Sequence, residues 1–500
     1  MNARTRRYAL AALAAAVLLA SLASSCAGLG AAGKGSGGFP LAAMGDSFGG
    51  RGLSDFAKVN LKSFETFVLS NGIPVIVKKS DSSRVRHISL VIRGGSAASS
   101  PETAGIESLA LKVMARGSAL YGYEAIRGLL DETSSSLGGT SDFDASYYSL
   151  NTLDKYFDRL LPLWIDTIAR PAFAQADFDK ELSNAILALQ SKEQDPWSKT
   201  GLSANELFFA GHPYAASPEG NAASLAAASL ESVEAWYGRR LRAGNLFVVA
   251  VGGYDAASLR ASLEKGLGAI PAGGEKLAKA PAIAHPGPGS LAKVEFPQSK
   301  GVGYLRGDFP APAIDDPDYV ALSIGMSIFS DLLFHVVRDK YGAVYSPMAT
   351  VRSFDANYGT VALYKTSVPG KAKAYIDEAA AVLASGRGMA LDPEYSADGY
   401  APIPEILDSI KGQFVNSTYE SQASNAAIAA QIARSALSTG DYRYYLLMVD
   451  RIGAATSEDI GDALRKHLFG AKLTWVALGA ADVIADARSE DFAAFSGASK

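Results

Sequence analysis

The chain has 500 residues, 48% of them hydrophobic and 20% charged, ample for sizeable cores and too long for a single one. Its net charge of -4 comes from 47 basic and 51 acidic residues, and no dense basic patch interrupts the balance, which argues against a nucleic-acid binder. One cysteine and five isolated histidines exclude an intrachain disulfide, and with no His-x-His or His-x-x-x-His pair they offer no ready metal cluster.

The amino terminus reads as a targeting segment. Arg4, Arg6 and Arg7 precede the apolar run from Ala9 to Leu22, which is too short for a comfortable membrane span. It ends in Leu22-Ala23-Ser24-Ser25-Cys26, similar to a bacterial lipobox with Ala23 in place of the more usual leucine. A cysteine directly after a signal is poorly placed for a core, so Cys26 is the expected site of thioether lipidation. Residues 1–26 are then a lipoprotein-type signal, the mature chain is anchored to a membrane of the bacterial envelope by acyl chains, and residues 27–60, opening with a run rich in Gly, Ala and Ser, are a flexible tether. Gly28 to Lys34 has the spacing of a phosphate loop. Gly35 follows where Ser or Thr is needed, and no strand precedes it, so the match is accidental.

From Phe67 to Lys79, apolar alternation on either side of Asn71-Gly72 predicts a hairpin. Ile88 to Arg93 is the next strand. Ile106, Leu109, Ala110, Val113 and Met114 fall at helical spacing after Thr103, which predicts an amphipathic helix. Helices over Tyr123–Leu137, Lys155–Ala169 and Phe178–Gln194, a strand over Ser141–Leu150 and a final strand around Leu246–Gly252 complete a first domain over residues 61–270. Residues 271–290, rich in Pro, Gly and Ala, form a linker. A strand from Gly301, helices over Asp318–Ser330 and Leu332–Lys340, further strands and a largely helical stretch to His467 repeat the same order over residues 291–490. In between, Asp392–Ser409 is irregular, broken by Pro402 and Pro404.

The surroundings of the helix after Gly105 resemble the inverted-zinc-motif metallopeptidases, the insulinase or pitrilysin-like family M16. The resemblance covers roughly residues 60 to 490 in order and spacing. It implies an α+β chain of two homologous domains, each a mainly antiparallel sheet packed with helices. In active members this helix reads Gly-x-x-His-x-x-Glu-His, two histidines and a later glutamate binding zinc and the first glutamate activating water. Here the positions of the two histidines hold Ser108 and Lys112, that of the base holds Leu111, and that of the third ligand falls on Ala188. Glu181 and Glu193 lie on the same helix, each about two turns from that position. The resemblance therefore implies a chain without metal or catalytic residues of its own.

In the second half the family carries Arg-x-x-x-Gly-x-x-Tyr, matched by Arg338, Gly342 and Tyr345. In active enzymes this pair reaches across a cleft to hold substrate near zinc. A guanidinium suits a peptide carbonyl or carboxylate, and a phenol can stabilise charge on a carbonyl oxygen. Spacing alone equally permits a helix-end arginine and an alternating strand tyrosine. His212, before Pro213, reads as a satisfied loop residue. Asp331, His335 and Asp339 have helical spacing, but the apolar neighbours make them a poor metal site. Some family members work as pairs in which one chain carries the zinc helix and the other keeps the Arg and Tyr. The expectation is a non-catalytic, substrate-binding subunit (Arg338, Tyr345) partnered by a chain bearing His-x-x-Glu-His and zinc, closing on unfolded peptides. The alternative is a lipid-anchored peptide-binding or assembly protein with no proteolytic role.

Overall fold

A computed structural model describes residues 53–284, 290–392 and 398–495. Cys26, the signal and the phosphate-loop-like stretch lie outside the described residues. The tether assigned to residues 27–60 ends earlier than its composition suggests: α1 (Asp55–Leu61) is a helix capped by Ser54, whose hydroxyl accepts from Ala57 N–H at 3.3 Å. Asp450, far along the chain, accepts from Ser54 N–H at 3.0 Å and fixes that cap.

The first half is built on a six-stranded sheet ordered β1-β2-β6-β3-β5-β4. Its strands are β1 (Phe64–Val68), β2 (Pro74–Lys79), β3 (Val85–Arg93), β4 (Ser136–Ser141), β5 (Ala145–Leu153) and β6 (Leu246–Gly252). The hairpin closes at Gly72, whose φ of 98° only glycine adopts readily. Between strands run α2 (Ile106–Met114), α3 (Tyr123–Thr133), α4 (Asp154–Ala169), α5 (Gln175–Gln194), α6 (Pro196–Phe208), α7 (Ala222–Ala226), α8 (Leu230–Arg240) and, after β6, α9 (Ala256–Glu264). Leu109, Ala110, Val113 and Met114 of α2 join Leu160, Trp164 and Ile168 of α4 on one face of the sheet. The helix predicted over Tyr123–Leu137 stops at Thr133, because Ser134 turns left-handed at φ 49°. Residues 136–141 then pair with β5 and carry Gly138-Gly139 into the sheet.

The linker's described residues lie along the first half. Asn245 Oδ1 accepts from Glu275 N–H at 2.9 Å, and Arg240 Nη1 pairs with Glu275 at 2.5 Å. The second sheet, ordered β7-β13-β8-β10-β9, comprises β7 (Leu291–Glu295), β8 (Gly303–Pro310), β9 (Val344–Arg352), β10 (Tyr358–Thr366) and β13 (Thr474–Gly479), with a small ribbon of β11 (Arg387–Met389) and β12 (Tyr400–Pro402) beside it. This order repeats β2-β6-β3-β5-β4 strand for strand. Each sheet is antiparallel apart from one parallel pair in the same place, β2 with β6 and β7 with β13. The helices are α10 (Asp318–Leu333), α11 (Pro369–Ala384), α12 (Ile403–Glu420), α13 (Asn425–Thr439), α14 (Met448–Ala454) and α15 (Ser457–Ala463). The break expected at Asp331 is absent: α10 runs on into a π-helical turn at Phe334–Lys340. It is apolar around its whole girth because it forms the centre of the second core. Pro402 and Pro404 begin α12 instead of breaking it, since a proline in the first turn sacrifices no hydrogen bond.

The halves exchange helices. Ile428, Ala429, Ile432, Ala433 and Ala436 of α13 cover the second face of the first sheet, against Ile76, Val91, Phe247 and Val249. In return α6 packs on the second sheet. There Trp197 meets Tyr304 and Tyr364, and Asn205 Oδ1 accepts from Arg306 Nη2 at 2.9 Å. A buried charge cluster fixes α13 in place. Arg434, 4% exposed, donates to Asp142 Oδ2 at 3.0 Å and to Asp144 Oδ2 at 3.3 Å. Tyr214 OH donates to Asp144 Oδ1 at 2.6 Å, and Asp355 N–H, from the turn between β9 and β10, donates to Oδ2 at 2.8 Å. Burial, followed by the neighbouring Asp355 carboxylate, raises the Asp144 pKa, while Arg434 opposes the rise.

Removing Arg434 leaves buried acids without their counter-charge, which typically costs about 3–5 kcal/mol. Arg434→Ala is expected to lose stability on that scale in denaturant melts. An acid whose folded pKa is raised destabilises the fold increasingly as pH climbs above the usual carboxylate range. The deficit should therefore be larger at pH 8 than at pH 5; an equal deficit at both would contradict this account of the cluster.

Candidate functional site

The two halves present equivalent edge strands, β4 and β9, and the residues singled out in the sequence gather beside them. On α2, five buried residues (Leu109, Ala110, Leu111, Val113, Met114) leave Ser108 and Lys112 as partly exposed positions one turn apart. The helix is seated by Gly105, at φ 85°, where a Cβ would come within 2.7 Å of Gly220 Cα. Leu111 is fully buried and touches β4: a Cβ added to Gly139 would stand 2.7 Å from Leu111 Cβ. Neither Ser108 nor Lys112 forms a hydrogen bond or ion pair among the described residues. Ala188 is exposed on α5, which packs alongside α2. The acids of α5 are engaged elsewhere, Glu181 and Asp177 with Arg116 at 3.2 and 3.0 Å, and Glu193 with Lys199 at 3.8 Å.

Glu107 was not singled out by its sequence position, yet it is the buried charge of this helix. Ser146 Oγ donates to its Oε1 at 2.5 Å, and Oε2 has no hydrogen-bond partner. Burial pushes its carboxyl up to about 7, partly offset by the Ser146 bond and by Arg240.

At β9 the structure brings Arg338 and Tyr345 together. The π-helical turn lengthens the helix by a residue and sets the Arg338 guanidinium 4.4 Å from the Phe334 ring centroid and 5.7 Å from that of Tyr345. Tyr345 is 65% exposed, an unusual state for a tyrosine on a strand. Neither side chain has a hydrogen-bond or carboxylate partner among the described residues. A row of aromatics missed in the sequence continues inward: Tyr345 to Tyr364 at 6.2 Å, Tyr364 to Tyr304 and to Trp197 at 5.5 Å each. Its members come from four separate segments, so no local pattern could announce it. Lys365, left-handed at φ 62°, marks a bulge in β10 beside the row.

His212 and His335 make contacts within the fold. His212 Nδ1 accepts from Tyr214 N–H at 3.1 Å and its Nε2 donates to Pro281 O at 2.8 Å. His335 stands edge-on to Tyr400. Among the described residues no three His, Cys, Asp or Glu side chains gather where they could hold a metal ion.

Two sequence profiles match, and together they span well over half of the chain: insulinase (peptidase family M16) over residues 75–206 and peptidase M16 inactive domain over residues 227–388. A non-peptidase homolog, YmxG of Helicobacter pylori, is 23% identical over 201 residues, 40% of this chain and 46% of that protein. The chain thus matches less than half of that relative's length. Among solved structures, a peptidase M16 inactive domain from Pseudomonas fluorescens superposes with a TM-score of 0.72 at 22% identity, covering 83% of this chain and 98% of that one. A chain of Complex III2 from Candida albicans gives 0.67 at 16% identity over 84% and 96%. The periplasmic protease PqqL from Escherichia coli gives 0.68 at 15% identity over 86% of this chain and 46% of its own. At these identities the structural matches establish the fold.

A hydroxyl, an ammonium and a methyl group at positions 108, 112 and 188 do not fit a zinc ion, which takes imidazole, thiolate and carboxylate donors.

Because folded Glu107 holds its proton to about pH 7 while the unfolded chain releases it near the ordinary glutamate value of 4.5, stability falls as pH rises through that interval. Glu107→Gln removes the titration. Its stability curve between pH 5 and pH 8 is expected to be flatter than that of the parent, by up to about 3 kcal/mol. Parallel curves in urea titrations would show that Glu107 is ionised throughout.

Proposed function

The chain belongs to the insulinase family, peptidase M16, and on that footing we propose that it is the non-catalytic, substrate-holding subunit of a two-chain zinc peptidase that acts on unfolded peptides. The observation that carries the reading is the contrast between the two edges. Beside β9, a partly exposed Arg338 and an exposed Tyr345 stand together with no hydrogen-bond or carboxylate partner among the described residues, as a pair kept for contact with something outside the chain. Beside β4, no three His, Cys, Asp or Glu side chains gather among the described residues where they could hold a metal ion.

On this reading zinc and its activated water come with the partner, a chain of similar size bearing His-x-x-Glu-His. Arg338 would orient a peptide carbonyl or carboxylate through its planar set of donors. The Tyr345 hydroxyl would donate to the oxygen on which charge develops, a contribution worth roughly 3–4 kcal/mol where such donors have been removed. The cleft between the chains would select extended peptides, because only an open backbone can lie along a strand edge.

Support for a paired arrangement comes from the similar fold found within Complex III2. Support for an envelope location comes from the signal-like amino terminus and from the periplasmic PqqL. Lipidation at Cys26 belongs to the same proposal. The second reading, a lipid-anchored peptide-binding or assembly protein with no proteolytic role, draws on the relative described as a non-peptidase homolog.

The two readings separate in kinetics. In the complex with its zinc-bearing partner, Arg338→Ala and Tyr345→Phe are each expected to lower peptide turnover roughly 100-fold, with melting temperatures little changed because neither side chain is buried. Unchanged turnover in both variants would remove the substrate-holding role.

A further inference from the structure

The substitutions in α2 and α5 do more than abolish metal binding: they reverse the charge of the place. Where active relatives carry two carboxylates around a cation, this chain has Leu111 and Ala188, and Lys112 adds a positive charge. The other nearby cations are engaged: Arg116 by Asp177 and Glu181 at 3.0 and 3.2 Å, Lys192 by Glu219 at 2.5 Å, Arg240 by Glu275 at 2.5 Å. The acids of α5 nearest α2 are therefore neutralised, and Glu107 turns inward to Ser146. Lys112 has no partner among the described residues.

Its position adds the second element. Leu111, its chain neighbour, is in contact distance of Gly139, in the middle of β4. β4 is the last strand of its sheet and has no neighbour on its outer side among the described residues. An extended backbone laid along that edge finds free N–H and C=O groups, and β4 itself packs against α2, the helix that carries Lys112 and Ser108.

We infer that the degenerate metal site is an anion site, in which Lys112, assisted by the Ser108 hydroxyl, receives the terminal carboxylate of an extended peptide lying on β4. The inference rests on the reading that this chain holds unfolded peptides, and it names the end of the peptide that is recognised. An ammonium gives a carboxylate a charge-assisted hydrogen bond, stronger than the neutral bonds along the strand edge, so a free carboxyl end is preferred over an internal segment. The chain then favours peptides already cut, or fragments with a native carboxyl terminus.

The test is fluorescence anisotropy with the purified chain and a fluorescein-labelled, unstructured dodecapeptide, prepared as the free acid, as the carboxamide, and as a carboxamide with one internal aspartate. The free acid is expected to bind roughly tenfold more tightly than either carboxamide. Lys112→Met should erase that preference and Lys112→Arg retain it, both with unaltered melting curves since the side chain is partly exposed. Equal binding of acid and carboxamide, or a preference that survives Lys112→Met, overturns the carboxylate site while leaving peptide holding intact. Tight binding of the internal aspartate peptide assigns the site to side-chain carboxylates and overturns the terminal assignment. Failure of all three to bind overturns peptide holding by the isolated chain and this site with it.

Discussion

The architecture depends on an exchange of helices that is locked by buried charge. Neither sheet could persist alone with both faces bare, because a sheet face of Ile, Val and Phe side chains must be covered. The first sheet is closed by α13 from the second half and the second by α6 from the first. Apolar packing alone would let a helix as rich in alanine as α13 slide or rotate. The Arg434 guanidinium, held by Asp142 and Asp144, permits one position. Buried ion pairs add little net stability, but breaking one is costly, so the cluster specifies the register of the two halves. That register in turn fixes how the β4 and β9 edges lie within one rigid body.

With the halves fixed, duplication gives the chain two comparable edges, and their chemistry has diverged. Both consist of a terminal strand beside a helical segment from the same half of the chain. At β9 the segment ends in a π-helical turn that aims a guanidinium at an exposed tyrosine. At β4 it presents a serine, a lysine and an apolar contact with a glycine. The first arrangement is equipped to hold a carbonyl or carboxylate. The second offers a hydroxyl and an ammonium, which are not metal donors of the zinc kind. On the proposed function, such a chain grips peptide while another supplies the chemistry.

Much of this was legible in the sequence because it rests on local pattern. The period of Ile106 to Met114 marks α2, the Asn71-Gly72 turn marks the first hairpin, and the recurrence of elements after the linker marks the duplication. Arg338 and Tyr345 were singled out by the family resemblance, since their spacing alone left a structural role equally open. What escaped the sequence depends on contacts far apart in the chain. The capture of α1 by Asp450 rests on residues nearly 400 apart, and the helix exchange and the row from Trp197 to Tyr345 likewise join distant segments. Two faint signals were present. Arg434 is the lone charge in the otherwise uncharged helix Asn425–Thr439, and Glu107 is an acid directly after Ile106 at the start of a largely apolar helix. Each marks a charge that the fold has to neutralise. The extent of α3 escaped for a different reason: Ser134 is not a usual left-handed residue, and Gly138-Gly139 reads as a stop when it serves as a strand.

Whether the chain works as half of a zinc peptidase is decided by purifying the protein from native membranes through a carboxyl-terminal tag and identifying what accompanies it by mass spectrometry. The expected result is a stoichiometric companion of similar size that carries His-x-x-Glu-His, with one zinc ion per pair. Recovery of the chain alone, or with companions of unrelated kind, would contradict it.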